Sequence, residues 1–462
     1  MAAAVASPLA EPRYRRLFTA QVVALLGTGL TTIALALLAF DLAGGDAGRV
    51  LGTALALKMV AYVLVAPLVG AVAHRLPRRG LLVSLDLARA GLVACLPFVT
   101  EVWQLYALIF LLNACSAGFT PSFQATIPDL LPDERRYTRA LSLSRLAYDL
   151  ENLLSPGLAA AALLLLSYDG LFALNASAFL VSAGLVLSVV LPAPQPTTRT
   201  ESFRANVGFG TRVFLATPRL RALLALYLAV ALAGAMVIVN TVVYVRDRLG
   251  GGETETALAF AASGAGSMAV ALLLPRLLDR FPDRPFLLSG GLLLILALFL
   301  GAAGPGYAGL LALWLLAGAG WSLVQTPAGR LIRRSCHDND RPALFAAQFA
   351  LSHACWLIAY PLAGWLGSVV GLTATFPVLA VLAAAAVALS WRLWPAEEAM
   401  HLTHSHAAMD HEHLHVHDEH HQHEHEGWEG PEPHRHPHRH EALEHSHDFV
   451  IDDHHLRWPR AS

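Results

Sequence analysis

Long apolar stretches, separated by short polar or Gly/Pro-rich breaks, fill most of the chain up to Trp394. A helix that crosses a bilayer needs about 20 mainly apolar residues, because lipid offers its backbone no hydrogen-bond partners. With 55% hydrophobic and 14% charged residues, the chain is predicted to be an all-α membrane protein. We expect twelve transmembrane helices, at residues 17–41, 50–73, 80–100, 102–123, 139–167, 170–191, 220–245, 255–278, 285–304, 307–329, 342–370 and 372–394.

Basic residues are distributed unevenly over the predicted loops. Of the 28 Arg and Lys residues before residue 401, 22 fall on one set of loops and three on the other. Loops rich in Arg and Lys stay in the cytoplasm when a membrane protein inserts. We therefore expect a multi-pass protein of the bacterial inner (cell) membrane, with both the N- and C-termini in the cytoplasm.

The two halves of the chain are similar to each other. GAVAHRLPRRGLLVS from Gly70 matches PRLLDRFPDRPFLLS from Pro275 at an offset of 205 residues, and two further landmarks repeat at 205 or 206. Such self-similarity indicates a duplicated structural unit. We expect an N-terminal six-helix half at 1–191, a cytoplasmic linker with a surface helix at 192–219, a C-terminal six-helix half at 220–394 and a tail at 395–462.

The loop after the second predicted helix carries a recognisable motif. Its sequence GAVAHRLPRR resembles the signature G-x-x-x-D-R-x-G-R-R of major facilitator transporters, although His74 and Pro77 depart from it. In that family the acidic residue pairs across the cytoplasmic gate, so a histidine there is expected to weaken the contact or make it pH-dependent. A basic loop that only sets topology is the alternative. The predicted gating residues are Gly70, His74, Arg75, Arg78, Arg79, Asp279 and Arg280.

This resemblance implies the major facilitator fold, in which cargo binds near the midplane between two six-helix halves and access alternates. Within the first half, SLDLARA, FTPSFQATIPDLLPDE and RALSLSRLAYDLENLLSP are similar to the NreB-type nickel-resistance permeases, which also have histidine-rich C-termini. That similarity implies efflux of nickel, and of cobalt, from the cytoplasm.

The fifth predicted helix is the most polar one, with Arg145, Asp149, Glu151 and Asn152. A charge at the bilayer centre costs roughly 3 kcal/mol on insertion scales, so charges that persist face a cavity or pair with each other. Asp149 or Glu151 could bind a divalent cation and release it on protonation, which would couple efflux to proton entry. The alternative is that Arg145 and Asp149, four residues apart on one face, form a structural pair.

Other polar residues in predicted helices are also candidates for the transport pathway. The 205-residue offset places His353 opposite the fifth helix, as a metal ligand or a packing residue, with Gln348 one and a half turns before it. Lys58, the only lysine, needs a partner, for which Asp86 or Asp41 could serve, and Asp86 is also spaced to pair with Arg89. For these charges, structural pairing and a role in gating or proton relay both remain open.

The last 62 residues contain 19 of the 22 histidines, with 13 carboxylates and four arginines. Neutral imidazole binds nickel, cobalt, zinc and copper(II), and ligand type alone does not separate nickel, cobalt and zinc. With few apolar residues the tail is predicted to be disordered without metal. Its predicted ligands are His401, His404, His406, His411, His413, His415, His417, His420, His421, His423, His425, His434, His436, His438, His440, His445 and His447.

These features favour a proton-coupled nickel or cobalt exporter, with metal ions, protons and the lipid bilayer as partners. We expect a monomer with no permanently bound cofactor and no nucleic-acid partner. We also expect no enzymatic activity, because phosphate-binding, nucleotide and nucleophile motifs are absent from the sequence. One alternative is a facilitator that exports an organic solute such as a siderophore or a drug and has a regulatory tail. Another is a membrane metal buffer or sensor that transports nothing.

Overall fold

The computed structural model contains thirteen α-helices within the described residues before the tail. The described residues are 7–43, 47–192, 203–394, 401–406, 409–415, 434–440, 443–448, 450, 451 and 458. The helices are α1 Pro12–Ala43, α2 Ala47–Val72, α3 Arg78–Ala94, α4 Val102–Leu130, α5 Glu134–Leu163, α6 Tyr168–Leu187, α7 Phe203–Ala216, α8 Pro218–Val243, α9 Glu253–Leu278, α10 Asp283–Gly301, α11 Tyr307–Arg333, α12 Arg341–Val369 and α13 Leu372–Leu393. Short helical turns lie at Pro8–Ala10, Ala73–Arg75, Leu96–Phe98, Tyr244–Arg248 and Asp338–Asp340.

The helices form two six-helix halves joined by α7. In the first half α1 packs on α6, and α3 lies against both α4 and α6; in the second half α8 packs on α13, and α10 lies against α11 and α13. The halves meet along α2 with α12 and along α5 with α9 and α11. The 205-residue repeat relates α2 to α9 and α5 to α12, so these contacts are pseudo-symmetric. The predicted fold is confirmed.

Eleven helices within the described residues are long and apolar enough to cross a membrane. The remaining predicted span is α5, a 30-residue helix with a mean hydropathy near zero, which packs between α1 and the second half. The surface helix predicted in the linker is present as α7. Charged groups of α5 are therefore held between helices, and the next subsection shows how they are neutralised.

Several helices continue beyond their predicted apolar segments on the side rich in arginine. Helix α4 was expected to stop at residue 123 but runs to Leu130, and α5 starts at Glu134 because the Asp133 side chain accepts a hydrogen bond from the Arg136 amide (2.8 Å). A side-chain acceptor at this position satisfies one of the free amides of the first turn. These extensions bring charged residues of the two halves together.

Within the second half, glycines allow two helices to approach closely. A Cβ atom built on Gly266 of α9 would lie 1.9 Å from the Leu315 carbonyl oxygen, and one built on Gly318 of α11 would lie 1.8 Å from the Ser263 carbonyl oxygen. Only glycine fits where backbones touch in this way. The α9–α11 pair is thus a rigid unit that carries Ser263 to Ser267 toward the first half.

The described parts of the tail contain four strands, β1 His401–His406, β2 Met409–His415, β3 His434–His440 and β4 Leu443–Asp448. They form two antiparallel pairs, β1 with β4 and β2 with β3, and His413 lies opposite His436. In β2 and β3 histidine recurs at every second residue, which is the period of a strand. The side chains of all tail histidines, and the whole of residues 416–433, lie outside the description.

Candidate functional site

On the side rich in arginine, ion pairs join the two halves. Glu134, at the start of α5, accepts from Arg330 (3.1 Å) and from Arg334, which both lie at the end of α11. Asp283 of α10, fully buried, lies 3.3 Å from the Arg330 Nε and 3.0 Å from the Arg334 Nη1. Glu134 therefore inserts into a charged cluster of the other half, where guanidinium groups can bind two carboxylates at once.

A second ionic contact lies between the ends of α4 and α12. Asp129 of the first half pairs with Arg78 of its own half and with Arg341 of the other. The predicted gating residue Arg78 is thus part of a contact between halves, whereas Arg75, Arg79 and Arg280 are exposed. The side chain of His74 lies outside the described residues.

The second copy of the gating loop, in the second half, also contacts the first half. Asp279, the acidic residue of the second copy, lies 3.9 Å from the Nε of Arg135 in the first half. Tyr137 donates a hydrogen bond to the Gly329 carbonyl (3.3 Å), again between halves. Ionic and hydrogen-bonded contacts together close this side of the protein.

Gly70 lies where α2 and α12 touch at the closed side. A Cβ atom built on it would lie 2.6 Å from the Cβ of Ala346, closer than two carbon atoms can approach. We expect Gly70→Ala to separate these helices, to favour opening of the closed side and to lower the transport rate several-fold, since packed interfaces do not deform continuously. Transport into proteoliposomes would measure this, with Gly91→Ala as control because a Cβ there meets nothing within 4 Å. Equal rates for the two variants would contradict the role of Gly70.

At the opposite end, the hydrogen bonds of three tyrosines in the described part of the chain stay within one half. Tyr168 donates to Asp41 (2.7 Å) inside the first half, and Tyr244 donates to the Pro305 carbonyl (2.8 Å) inside the second. Tyr307 likewise donates to the Glu255 carbonyl (2.9 Å) within the second half. The conformation is therefore one in which ionic contacts hold the halves together on the side rich in arginine.

Halfway along the bundle, Arg145 and Asp149 pair as their spacing predicted. Arg145 Nη2 donates to Asp149 Oδ1 (2.7 Å), and the hydroxyl of Ser267 on α9 donates to Asp149 Oδ2 (2.6 Å) and accepts from Arg145 Nε (3.0 Å). The guanidinium carbon of Arg145 also lies 5.1 Å from the ring centre of Trp321 on α11. Both oxygens of the Asp149 carboxylate accept a hydrogen bond, one from Arg145 of the same helix and one from Ser267 of the other half. Asp149 therefore links the two halves.

Lys58, Tyr62, Glu151 and His353 form a second central group, which we call the central cluster. The Lys58 ammonium lies 5.7 Å from the ring centre of Tyr62. Glu151 and His353 are near enough for the Lys58 charge to act on both, although no Lys58–Glu151 ion pair within 4 Å is among the described contacts. The rings of Tyr62 and His353 are in edge-to-face contact, with centres 4.7 Å apart. The cluster joins α2 and α5 of the first half to α12 of the second.

His353 has a defined tautomer in this arrangement. Its Nδ1 lies 2.7 Å from the Phe349 carbonyl oxygen, which can only accept, so Nδ1 carries the hydrogen. In the neutral ring, Nε2 then has a free lone pair that can accept a proton or bind a metal ion. Glu151 and His353 are the members of the central cluster that can both exchange a proton and bind a divalent metal ion.

The two carboxylates suggested as partners for Lys58 both have other partners. Asp41 accepts from Tyr168, and Asp86 pairs with Arg89 and accepts from the Ser182 hydroxyl (2.7 Å). Both members of the Asp86–Arg89 pair are buried inside the first half, among α3, α4 and α6. Spacing along a helix identified Arg89 as the partner of Asp86.

Two further predicted pathway residues lie apart from the central cluster or outside the description. Gln348 donates to the Tyr227 hydroxyl (3.0 Å) within the second half, which fits helix packing. The side chain of Asn152 is outside the described residues. Among the side chains that the structure describes, no group of three His, Cys, Asp or Glu residues is arranged to hold a metal ion. Asp149, Glu151 and His353 therefore do not converge on one ion in this conformation.

Sequence reasoning missed Asp129, Glu134 and Ser267. Asp129 and Glu134 stand in a connection that reads as an ordinary charged loop, and Ser267 is a single hydroxyl in an apolar helix. The available signal was the repeat, which pairs the α4–α5 connection with the α11–α12 connection. Both connections carry charged residues that form ion pairs between the halves.

The chain is similar to known proteins along most of its length. The model of the Major Facilitator Superfamily matches residues 17–252 and 223–415. An uncharacterized MFS-type transporter of Bacillus subtilis, YfiS, is 25% identical over 384 residues, covering 78% of this chain and 88% of its own.

Solved transporters share the fold at low sequence identity. The human organic anion transporter MFSD10 aligns with a TM-score of 0.72 at 15% identity, over 82% of this chain and 99% of its own. A bacterial homologue of the iron transporter ferroportin, in its outward-facing state, gives 0.68 at 18% identity, over 82% and 98%. The Escherichia coli fucose:proton symporter gives 0.65 at 15% identity, over 83% and 98%. With its family model matched along most of its length, this chain belongs to the major facilitator superfamily.

Proposed function

We propose that the protein is a secondary-active exporter that moves a divalent transition-metal cation, nickel or cobalt, out of the cytoplasm in exchange for protons. The observation that carries this proposal is the central cluster, in which the Lys58 charge acts both on Glu151 of the first half and on His353 of the second, whose Nε2 has a free lone pair. These are the two group types that both bind such cations and exchange protons. Efflux of nickel is also what the similarity to the NreB-type permeases implies.

With the side rich in arginine in the cytoplasm, as the charge distribution predicts, the conformation faces outward. A proton arriving from outside neutralises Glu151, which weakens its attraction for the cation and favours release. Once cargo has left, the ionic gate around Glu134 opens and the central cluster is exposed to the cytoplasm. Loss of the proton there restores the carboxylate for the next ion, so that cargo and proton move in opposite directions.

The tail supplies the argument for the identity of the cargo. Its 19 histidines and 13 carboxylates are ligands for divalent transition metals, and it follows α13 on the cytoplasmic side. The central cluster offers two protein ligands, so water or a small ligand that travels with the ion completes the coordination. The similarity in fold to a homologue of an iron transporter is compatible with metal transport.

An organic solute is the second candidate, and the aromatic lining of the second half favours it. Trp321 and Trp356 have ring centres 5.2 Å apart, and Trp356 and Tyr360 have centres 5.0 Å apart. Together with the Lys58 ammonium, such a surface suits an aromatic anion better than a bare cation. The polar centre of the bundle gives no support to a buffer or sensor without transport.

Flux into inverted membrane vesicles separates these candidates. We expect nickel or cobalt to accumulate when the vesicle interior is made acidic, and the accumulation to collapse when a protonophore removes the gradient. Zinc, and a fluorescent aromatic anion, should be measured in the same preparation. Gradient-dependent uptake of the anion alone would support the organic-solute exporter, and no gradient-dependent metal uptake would end the metal proposal.

Removal of the tail histidines tests where transport takes place. Changing the tail histidines up to residue 447 to asparagine should lower uptake at micromolar metal several-fold and leave the maximal rate nearly unchanged, because the pathway lies in the helices. Uptake against metal concentration measures both quantities. Deletion of 401–462 should also leave measurable transport. Complete loss of transport in the folded asparagine variant would contradict this division of labour.

A further inference from the structure

The end of the tail returns to the body of the protein. Ile451 is 3% exposed and belongs to the same hydrophobic core cluster as Trp394, the residue that follows α13. Trp458 packs against that cluster, and Val450 is also buried. The histidine-rich part of the tail is therefore held at both ends on the second half of the transporter.

Arg219, at the start of α8, receives this segment. Its guanidinium carbon lies 5.5 Å from the ring centre of Trp458, a cation–π geometry. The same guanidinium donates to the hydroxyl of Ser335 (2.7 Å) and to the carbonyl oxygen of Arg334. Arg219 is itself 9% exposed, so its contacts are protected from water.

Arg334 connects this contact to the gate between the halves. Its side chain pairs with Glu134 of the first half and with Asp283 of the second (3.0 Å). Three successive contacts thus lead from Trp458 through Arg219 and Arg334 to Glu134. A docked chain end holds the backbone of Arg334 where its side chain reaches the other half.

We propose that Val450, Ile451 and Trp458 form a latch that stabilises the conformation in which the cytoplasmic gate is closed. A contact shifts a conformational equilibrium only if it is stronger in one state. The latch meets this condition through Arg334. Arg219 donates to the Arg334 backbone carbonyl, and the Arg334 side chain pairs with Glu134 only when the halves are together. The inference concerns the gate alone and does not rest on the identity of the cargo.

Distances between spin labels on the two halves test the latch. Leu76 and Phe281 are exposed, lie at equivalent positions of the repeat and belong to different halves. In full-length protein with its four native cysteines replaced, labels at Leu76→Cys and Phe281→Cys report gate opening by double electron–electron resonance. We expect Trp458→Ala, and separately deletion of 450–462, to increase the population of long distances several-fold, whereas Trp458→Phe should change it little.

Trp103→Ala is the matched control, since Trp103 is an exposed tryptophan at the start of α4, in the other half of the protein. It should leave the distance distribution as in the parent. The deletion variant guards against a Trp458 substitution that does not fold, because it introduces no altered side chain. Unchanged distance distributions in the folded deletion variant would overturn the latch, whatever metal transport assays show.

Discussion

Replacement of Glu151 by glutamine is expected to reduce proton-driven efflux by about a hundredfold, the order of effect seen when a positioned proton-transferring group is lost. Glutamine keeps the size and hydrogen-bonding capacity of the side chain but neither binds a proton nor carries charge. In the wild type, uptake into inverted vesicles should rise as the vesicle interior is acidified. In Glu151→Gln it should be low and independent of the gradient.

Two controls show whether this loss is specific. Asp247→Asn removes an exposed carboxylate at the end of the protein away from the side rich in arginine, and this variant should transport normally. The double variant Lys58→Met with Glu151→Gln removes both the carboxylate and the nearby ammonium whose charge acts on it, so that neither charge remains alone. Recovery of gradient-driven transport in the double variant would make Glu151 a structural counter-ion and contradict its role in coupling.

Much of the architecture could be predicted from sequence, because the membrane restricts what a chain can do. Apolar length located the spanning helices, and the offset of 205 residues gave the two halves. The Arg145–Asp149 pair followed from helical spacing, since residues four apart share a face. All of these depend on local pattern or on repetition along the chain.

The gate and the central cluster could not be predicted in the same way. Glu134 pairs with Arg334, 200 residues away in the chain, and Asp149 accepts a hydrogen bond from Ser267, 118 residues away. No spacing rule connects positions so far apart; the packing of α5 against α9 and α11 brings them together.

The buried pair of Asp86 and Arg89 should govern stability and not transport. The Asp86 side chain is fully buried and that of Arg89 is 7% exposed, with its guanidinium carbon 4.1 Å from the ring centre of Phe119 and 4.5 Å from that of Phe179. Removing one partner leaves an uncompensated charge, so Asp86→Ala is expected to lower the free energy of unfolding by about 3–5 kcal/mol. The midpoint of thermal unfolding in detergent measures this loss.

The double variant Asp86→Ala with Arg89→Met distinguishes a structural pair from a member of the pathway. Because an apolar replacement of both charges restores neutrality, most of the lost stability should return, and gradient-driven transport should return with it. A double variant as unstable as the single one would mean that Ser182 and the aromatic rings depend on the ionic groups themselves. A stable double variant without transport would place this pair in the proton pathway, together with Glu151.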